Sequence, residues 1–282
     1  MGRISRGWAL TRQSWDVLKS DPSLVLFPIL ASIFAILAVV AIWVPTAITE
    51  GVFDNQTPNE QNAVVYIAGA AAAYVSTVIT IFFNVALAAC AVRSMRGEDT
   101  KVGEGVKAAM GRIGPILGWS LVATTVNLIL RALEERVPLA GRIAVWIAGA
   151  TWAIATFFVI PVVALEGTGP LRSLERSAAI VKARWGEGAT GAATIGVVTF
   201  LVTLLVVVVG ALGSMVLVNS GLPVLGYAII AVAVLAVIGI SIVSSTLTQI
   251  FRVAVYEFAV SGQTPGGFDG AMLQAAFKPH RV

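Results

Sequence analysis

The chain has 282 residues, 57% hydrophobic and only 12% charged, with a formal net charge of +4, one cysteine and one histidine. A soluble domain carries about a quarter charged residues, so a shell this poor in charge must face lipid over much of its area. Cys90 alone excludes an intrachain disulfide and any paired-cysteine metal or redox site, and His280, two residues from the end, makes no metal cluster.

The first polar segment is patterned. Ile4, Trp8, Thr11, Trp15 and Leu18 recur at helical spacing, with Arg3, Arg6, Arg12 and Lys19 mostly around them. Asp21 and Pro22 then predict a break. The run Leu24 to Ile48 follows, long enough to cross about 30 Å of hydrocarbon. It starts too far into the chain, and its apolar core is too long, for a cleaved signal peptide. Residues 49–62 carry Glu50, Asp54 and Glu60 but no Lys or Arg. They also hold Asn55-Gln56-Thr57, formally a glycosylation acceptor that means nothing outside an oxidising eukaryotic compartment.

The second span is read from Ala63 to Val92. Arg93, Arg96, Lys101, Lys107 and Arg112 follow it, with Val102, Val106, Ala109 and Ile113 on one helical face. The third span, Ile113 to Leu130, is the shortest and most polar; Arg131, Arg136 and Arg142 lie beyond it, with Glu134 and Glu135 between. The fourth runs from Ile143 to Leu165. Pro170 then suits a helix start, with Leu171, Leu174, Ala178, Val181 and Trp185 on one face and Arg172, Arg176, Lys182 and Arg184 in the segment. The fifth span, from Thr190 to about Val218, is followed by an uncharged turn. The sixth, from Val224 to about Phe251, leads to Arg252, Lys278 and Arg281. The C-terminal segment repeats the interfacial pattern with Phe268, Met272, Ala275 and Phe277.

Alternate polar segments hold 16 of the Lys and Arg residues on one side and 3 on the other. The positive-inside rule puts the richer side, and with it both termini, in the cytoplasm. The fold class expected is all-α: a polytopic bundle of six transmembrane helices with short amphipathic helices at the cytoplasmic interface. One domain covers 1–282, with a plan of three hairpins at 1–92, 93–165 and 166–282. Each short helix would press its apolar face into the headgroup boundary or pack it on the bundle. Arg3, Arg6, Arg12, Trp8, Trp15, Arg172, Arg176, Lys182, Trp185 and Arg252 are the expected lipid-headgroup contacts.

Inside the spans, Asn84 and Asn127 need partners and are expected to face protein, as packing groups or as the lining of a cavity that reaches Glu166. Pro28 and Pro161 are expected kinks, and Pro115 a first-turn proline. Gly69 with Ala73, Gly114 with Gly118, and Gly149 with Ala153 permit close helix approach.

No phosphate-binding loop, zinc-protease helix or nucleophile elbow occurs, and no cluster of ionisable residues assembles at one depth. The expected function is therefore non-enzymatic, with no cofactor and no nucleic acid: a structural, lipid-organising or accessory protein whose partners are membrane lipids, anionic on the cytoplasmic side. A protein partner or homo-oligomer is unspecified. The rival is a small-molecule or lipid permease, which a polar cavity joining Asn84, Asn127 and Glu166 would favour and a dry, dense centre would not.

The strings RGWALTRQSWDVLKSDPSLVLFPIL and FFVIPVVALEGTGPLRSLERSAAIVKARWGE resemble an uncharacterised family of six-span prokaryotic membrane proteins known from actinobacteria and archaea. A wider likeness is to membrane domains that accompany glycerophosphodiester phosphodiesterases. In those, a proline-containing span end leads through an acidic residue to an Arg-Ser helix, matched here by Pro161, Glu166, Arg172, Ser173, Arg176 and Ser177. The resemblance implies a prokaryotic cell membrane and brings no chemistry, because the catalytic domain of those enzymes is a separate soluble barrel for which this chain has no room.

Overall fold

The computed structural model describes residues 3–50, 63–184 and 188–270. Ten α-helices run in order: α1 Arg3–Ser20, α2 Leu26–Thr49, α3 Ala63–Met95, α4 Val102–Met110, α5 Ile113–Arg136, α6 Leu139–Ala155, α7 Val159–Leu165, α8 Pro170–Arg184, α9 Gly188–Asn219 and α10 Pro223–Ser261. A 3₁₀ turn, Pro22–Val25, joins α1 to α2. No strand occurs among the described residues, and six stretches are long and apolar enough to span a membrane. The chain is a multi-pass, all-α membrane bundle. Asn55-Gln56-Thr57, Trp185, Met272, Ala275, Phe277 and His280 lie outside the described residues.

Local chemistry sets the breaks. After α1, Asp21 Oδ1 accepts hydrogen bonds from the Ser23 amide (3.2 Å) and hydroxyl (2.6 Å), which turns the chain where Pro22 cannot donate. The fourth span breaks at residues 156–158, one turn before Pro161. Proline lacks the N–H that would reach the carbonyl four residues back and crowds that carbonyl, so the expected kink is present. Pro28 makes no such break. It is the third residue of α2, in a first turn that lacks helical acceptors anyway, and α2 runs on through Pro45 to Thr49.

Helix length divides these elements. α10 has 39 residues and α3 has 33, roughly 58 and 50 Å at 1.5 Å per residue, against about 30 Å of hydrocarbon. Burial is concentrated toward one end. In α3 it concentrates in Ile81–Met95, in α10 in Thr246–Ala259, and after α6 in α7 itself. The sixth span was expected to end near Phe251, but α10 continues to Ser261. In the added stretch, RVAVYEFA, every residue but the half-buried Arg252 and Glu257 is apolar and buried, and no Gly or Pro interrupts the helix.

Three strings share this pattern: FFNVALA (82–88), FFVIPVV (157–163) and IFRVAVY (250–256). In each, the phenylalanine at the second position is buried (Phe83, Phe158, Phe251), as are the residues that follow it two, three and four places on.

The chain forms two compact units. One comprises 1–25, 94–98 and 184–282. In it α1 packs against α9 and α10, the 3₁₀ turn packs against α10, and Thr199 of α9 shares a 2.6 Å hydroxyl hydrogen bond with Ser244 of α10. Gly210 lets α9 approach α10, because a methyl group there would lie 2.7 Å from Ala233 Cβ. The other unit comprises 26–93 and 99–183. Phe34 of α2 stacks on Phe83 of α3, and Trp119 of α5 on Trp152 of α6, both with ring centres 5.8 Å apart. The expected small-residue contacts are partly present: Gly69 faces Trp43, Gly149 faces Leu130, and Gly118 faces Pro170, while nothing lies against Gly114.

Candidate functional site at the basic helix ends

The short helices carry the basic residues, and their packed faces are set by small side chains. On α8 the expected face was Leu171, Leu174, Ala178 and Val181. The buried residues are Ser173, Ser177, Ile180 and Val181, while Leu171 is 73% exposed. The face turns by about one residue because Ser177 repairs the break in the fourth span. Its hydroxyl donates to the Ala155 carbonyl (2.6 Å) and accepts from the Phe158 amide (3.0 Å). These are backbone groups that the break before Pro161 leaves without helical partners, and burial makes their satisfaction worth most.

α1 shows the same shift. Ser14, Val17 and Leu18 are buried, while Trp8 is 55% and Trp15 39% exposed. The Trp15 ring lies under the Lys19 ammonium, 5.7 Å from its centre. On α4 the buried pair is Gly105 and Ala109. A methyl group on Gly105 would fall 2.7 Å from Phe27 Cζ, 2.8 Å from Cys90 Sγ and 2.9 Å from the Ala86 carbonyl, so α4 meets α3 almost backbone to side chain. Cys90 is buried beneath it, with Sγ 3.8 Å from the Lys101 carbonyl.

Ion pairs tie these helices to the long ones. In the second unit Arg93 pairs with Glu104 of α4, and Glu166 at the end of α7 takes the Arg176 Nε–H at 3.0 Å. In the first unit Arg96 lies 3.5 Å from Glu257 of α10. Beyond α10, the amide of Asp269 donates to Gln13 Oε1 of α1.

The expected intramembrane residues do not converge. Asn84 is half-buried in α3 and already engaged. Glu166 is held by Arg176. Asn127 was expected to face protein, but it is exposed on α5. It continues the stripe Ile116, Ser120 and Thr124, whose cover stops one turn earlier, at Thr124. The hydroxyls of Ser76 and Thr124 are buried with no hydrogen-bond partner. A cavity of about 390 Å³ between α9 and α10 is lined by Val207, Gly210, Ile230, Ala233 and similar apolar side chains, with no polar group that could select a solute.

Of the expected headgroup contacts, Arg12, Trp8, Trp15, Arg172, Arg176 and Lys182 are exposed. Arg252 is half-buried, engaged, and followed by nine further residues of α10, so it does not sit at a free helix end. The side chains of Arg3 and Arg6, like Trp185, fall outside the described residues. Among the described residues no cluster of His, Cys, Asp and Glu could hold a metal ion. Helical spacing alone did not single out Ser14, Gly105 or Arg112, and Ser173 and Ser177 entered only through the resemblance. The Ser173–Ser177 and Gly105–Ala109 spacings, small residues four apart, were a usable signal for most of them.

Residues 63–267 match the model of a family described as of unknown function, DUF6159. The match takes in the second quoted string and leaves the first, on α1 and α2, outside it. No curated protein and no solved structure matches the chain. Nothing in these matches connects it with the membrane domains that accompany glycerophosphodiester phosphodiesterases.

Proposed function

We propose, from the premise that the chain belongs to the DUF6159 family and must be read from its own residues, that it is a non-enzymatic membrane protein that organises anionic lipid at the basic short helices of each unit. The observation that carries this reading is the division of labour on the short helices. Small side chains pack inward, while Trp8, Trp15, Met110 and Leu171 stay exposed beside Arg12, Lys107, Arg172 and Lys182. Exposed indole and aliphatic groups interleaved with cations suit the headgroup boundary of an anionic leaflet. The 16-to-3 distribution of Lys and Arg supports placing these helices, and both termini, on the cytoplasmic side.

A permease reading draws less support. Asn127 is exposed, Glu166 is ion-paired, and the cavity between α9 and α10 is apolar. The test is reconstitution of the whole chain into nanodiscs of mixed phosphatidylglycerol and phosphatidylcholine, with the lipid shell measured by energy transfer from tryptophan to labelled lipid. Enrichment of phosphatidylglycerol that weakens in the Arg12→Gln/Lys182→Gln variant, which keeps every tryptophan donor, is expected. A shell of bulk composition would overturn the reading.

A further inference from the structure

Glycines with positive φ close α3, α7 and α10: Gly97 (φ +79°), Gly167 (+66°) and Gly262 (+69°). Open space surrounds the first and the third. Gly167 is covered. A methyl group there would overlap Nη1 and Cζ of Arg112, so the guanidinium lies directly against the Gly167 backbone, in room that only glycine leaves.

Arg112 joins α4 to α5 and is half-buried. Arg93 and Arg176 each hold a carboxylate, but no carboxylate among the described residues pairs with Arg112. Glu166, next to Gly167 in sequence, is occupied by Arg176. A positioned guanidinium with unfilled donors presents the planar fork that suits phosphate oxygens. The turn beneath it is fixed. Thr168 and Ser173 share a 2.8 Å hydroxyl hydrogen bond, the Ser173 hydroxyl lies 3.0 Å from the Thr168 carbonyl, and Pro170 sits on Gly118.

The surroundings say which phosphate. Met110, Ile113 and Leu117, beside Arg112 in sequence, are exposed apolar side chains, as is Leu171 just past the turn. Such a rim suits acyl chains and would be wasted on a soluble anion.

We propose that Arg112, seated on Gly167 next to the Arg176–Glu166 pair, binds the phosphate of an anionic lipid headgroup. This rests on the lipid-organising reading and adds a defined site to it. The test uses the purified full chain in neutral detergent, with native mass spectrometry to count retained lipid. The probes are phosphatidylglycerol, phosphatidylcholine and inorganic phosphate. The wild-type chain should hold one phosphatidylglycerol in preference to phosphatidylcholine. Arg112→Gln should weaken that binding about tenfold, the loss expected when charge-assisted hydrogen bonds go. Arg112→Lys, which keeps the charge and loses the fork, should fall between. Gly167→Ala should act in the same direction by displacing the guanidinium. Arg131→Gln, on the opposite side of the charge pattern, should change nothing.

Unchanged binding in Arg112→Gln, with phosphatidylglycerol still preferred, would overturn the site and leave the broader reading standing. No preference in the wild-type chain would overturn both. Displacement of the lipid by inorganic phosphate at equal concentration would overturn the lipid assignment.

Discussion

The long helices have two lengths that obey different rules. Over the first 20 or so residues of α9 and α10, large aliphatic side chains such as Leu201, Leu205, Val224 and Leu235 are exposed. Over the last part of α10, as of α3, residues of the same type are fully buried: Ile250, Phe251 and Val253, and Val85 and Leu87. Hydrophobicity therefore does not mark the inside of this chain. Lipid tails are as apolar as leucine, so burying a leucine against another helix gains little over leaving it in lipid. On the packed faces of the short helices what recurs is small size, at Ser14, Gly105, Ser173 and Ser177, which lets backbones approach and dispersion contacts accumulate. At the buried ends of α3, α7 and α10 the apolar side chains are covered, α4 packing on α3, α8 on α7 and α1 on α10.

The sharpest break of this contrast tests its two ends directly. Cys90 is buried, so a full-length chain should give little background with a membrane-impermeant thiol reagent. Glu98→Cys, in the turn after α3, and Ser220→Cys, between α9 and α10, are both at exposed positions. In intact cells Ser220→Cys should label and Glu98→Cys should not. The reverse pattern would invert the proposed topology and put the basic short helices outside.

Next in size is Gly105→Val. Its β-carbon alone would press on Phe27, Cys90 and the Ala86 carbonyl, and a backbone carbonyl cannot swing aside. A cost above about 3 kcal/mol is expected, the upper range for overpacking, seen as loss of folded protein in mild detergent. Gly103→Val, two residues away in open space, is the matched control and should cost only about 0.5 kcal/mol, within the range of surface changes. Equal behaviour of the two would remove α4 from the core. Leu87→Ala should then cost about 2–5 kcal/mol. Leu205→Ala, 63% exposed on α9, should stay within about 0.5 kcal/mol. Denaturation in mixed detergent, followed by tryptophan emission, would separate them.

Ser177→Ala has a smaller, more diagnostic effect. It leaves the Phe158 amide and the Ala155 carbonyl without their hydroxyl partner, at about 1–3 kcal/mol. Ser177→Thr keeps the hydroxyl and should recover part of that loss. A neutral Ser177→Ala would mean that water or a relaxed helix repairs the break.

Much of this architecture was legible from sequence because lipid imposes a strong constraint. Long apolar runs without charge must be helices, and the six expected spans are six long apolar stretches among the described residues. Prolines were legible to the extent that their position was: Pro161 breaks a helix interior, whereas Pro28 falls in a first turn. Which face of each short helix packs was not legible, because helical spacing marks an apolar face without saying whether lipid or the bundle takes it. Leu171 and Trp8 turn outward, and Ser177, Ser14 and Gly105 turn inward. Arg112 was hidden for another reason. As one of five cations between the second and third spans it had no distinguishing neighbour in sequence. Its partner surface, Gly167, lies 55 positions away in the chain.

The smallest expected effect lies on the opposite side of the charge pattern, and it bears on whether that side carries any structural task of its own. Arg131 Nε lies 3.3 Å from Glu135 Oε1, one turn along α5, with both side chains mostly exposed. Such a pair contributes about 0.3–0.5 kcal/mol, because water screens it and two long side chains must be held still. Glu135→Gln should therefore shift stability by less than the measurement resolves, and lipid selection should be untouched. Glu166→Gln, at the basic end, removes a carboxylate whose side chain is only 28% exposed and frees Arg176 from the residue next to Gly167. It should destabilise more than Glu135→Gln and at the same time strengthen phosphatidylglycerol retention, because a second guanidinium becomes free for the same headgroup. Loss of retention in Glu166→Gln would mean that the ion pair positions the turn more than it competes for the arginine. That would move the weight of the site from charge to the geometry of Gly167.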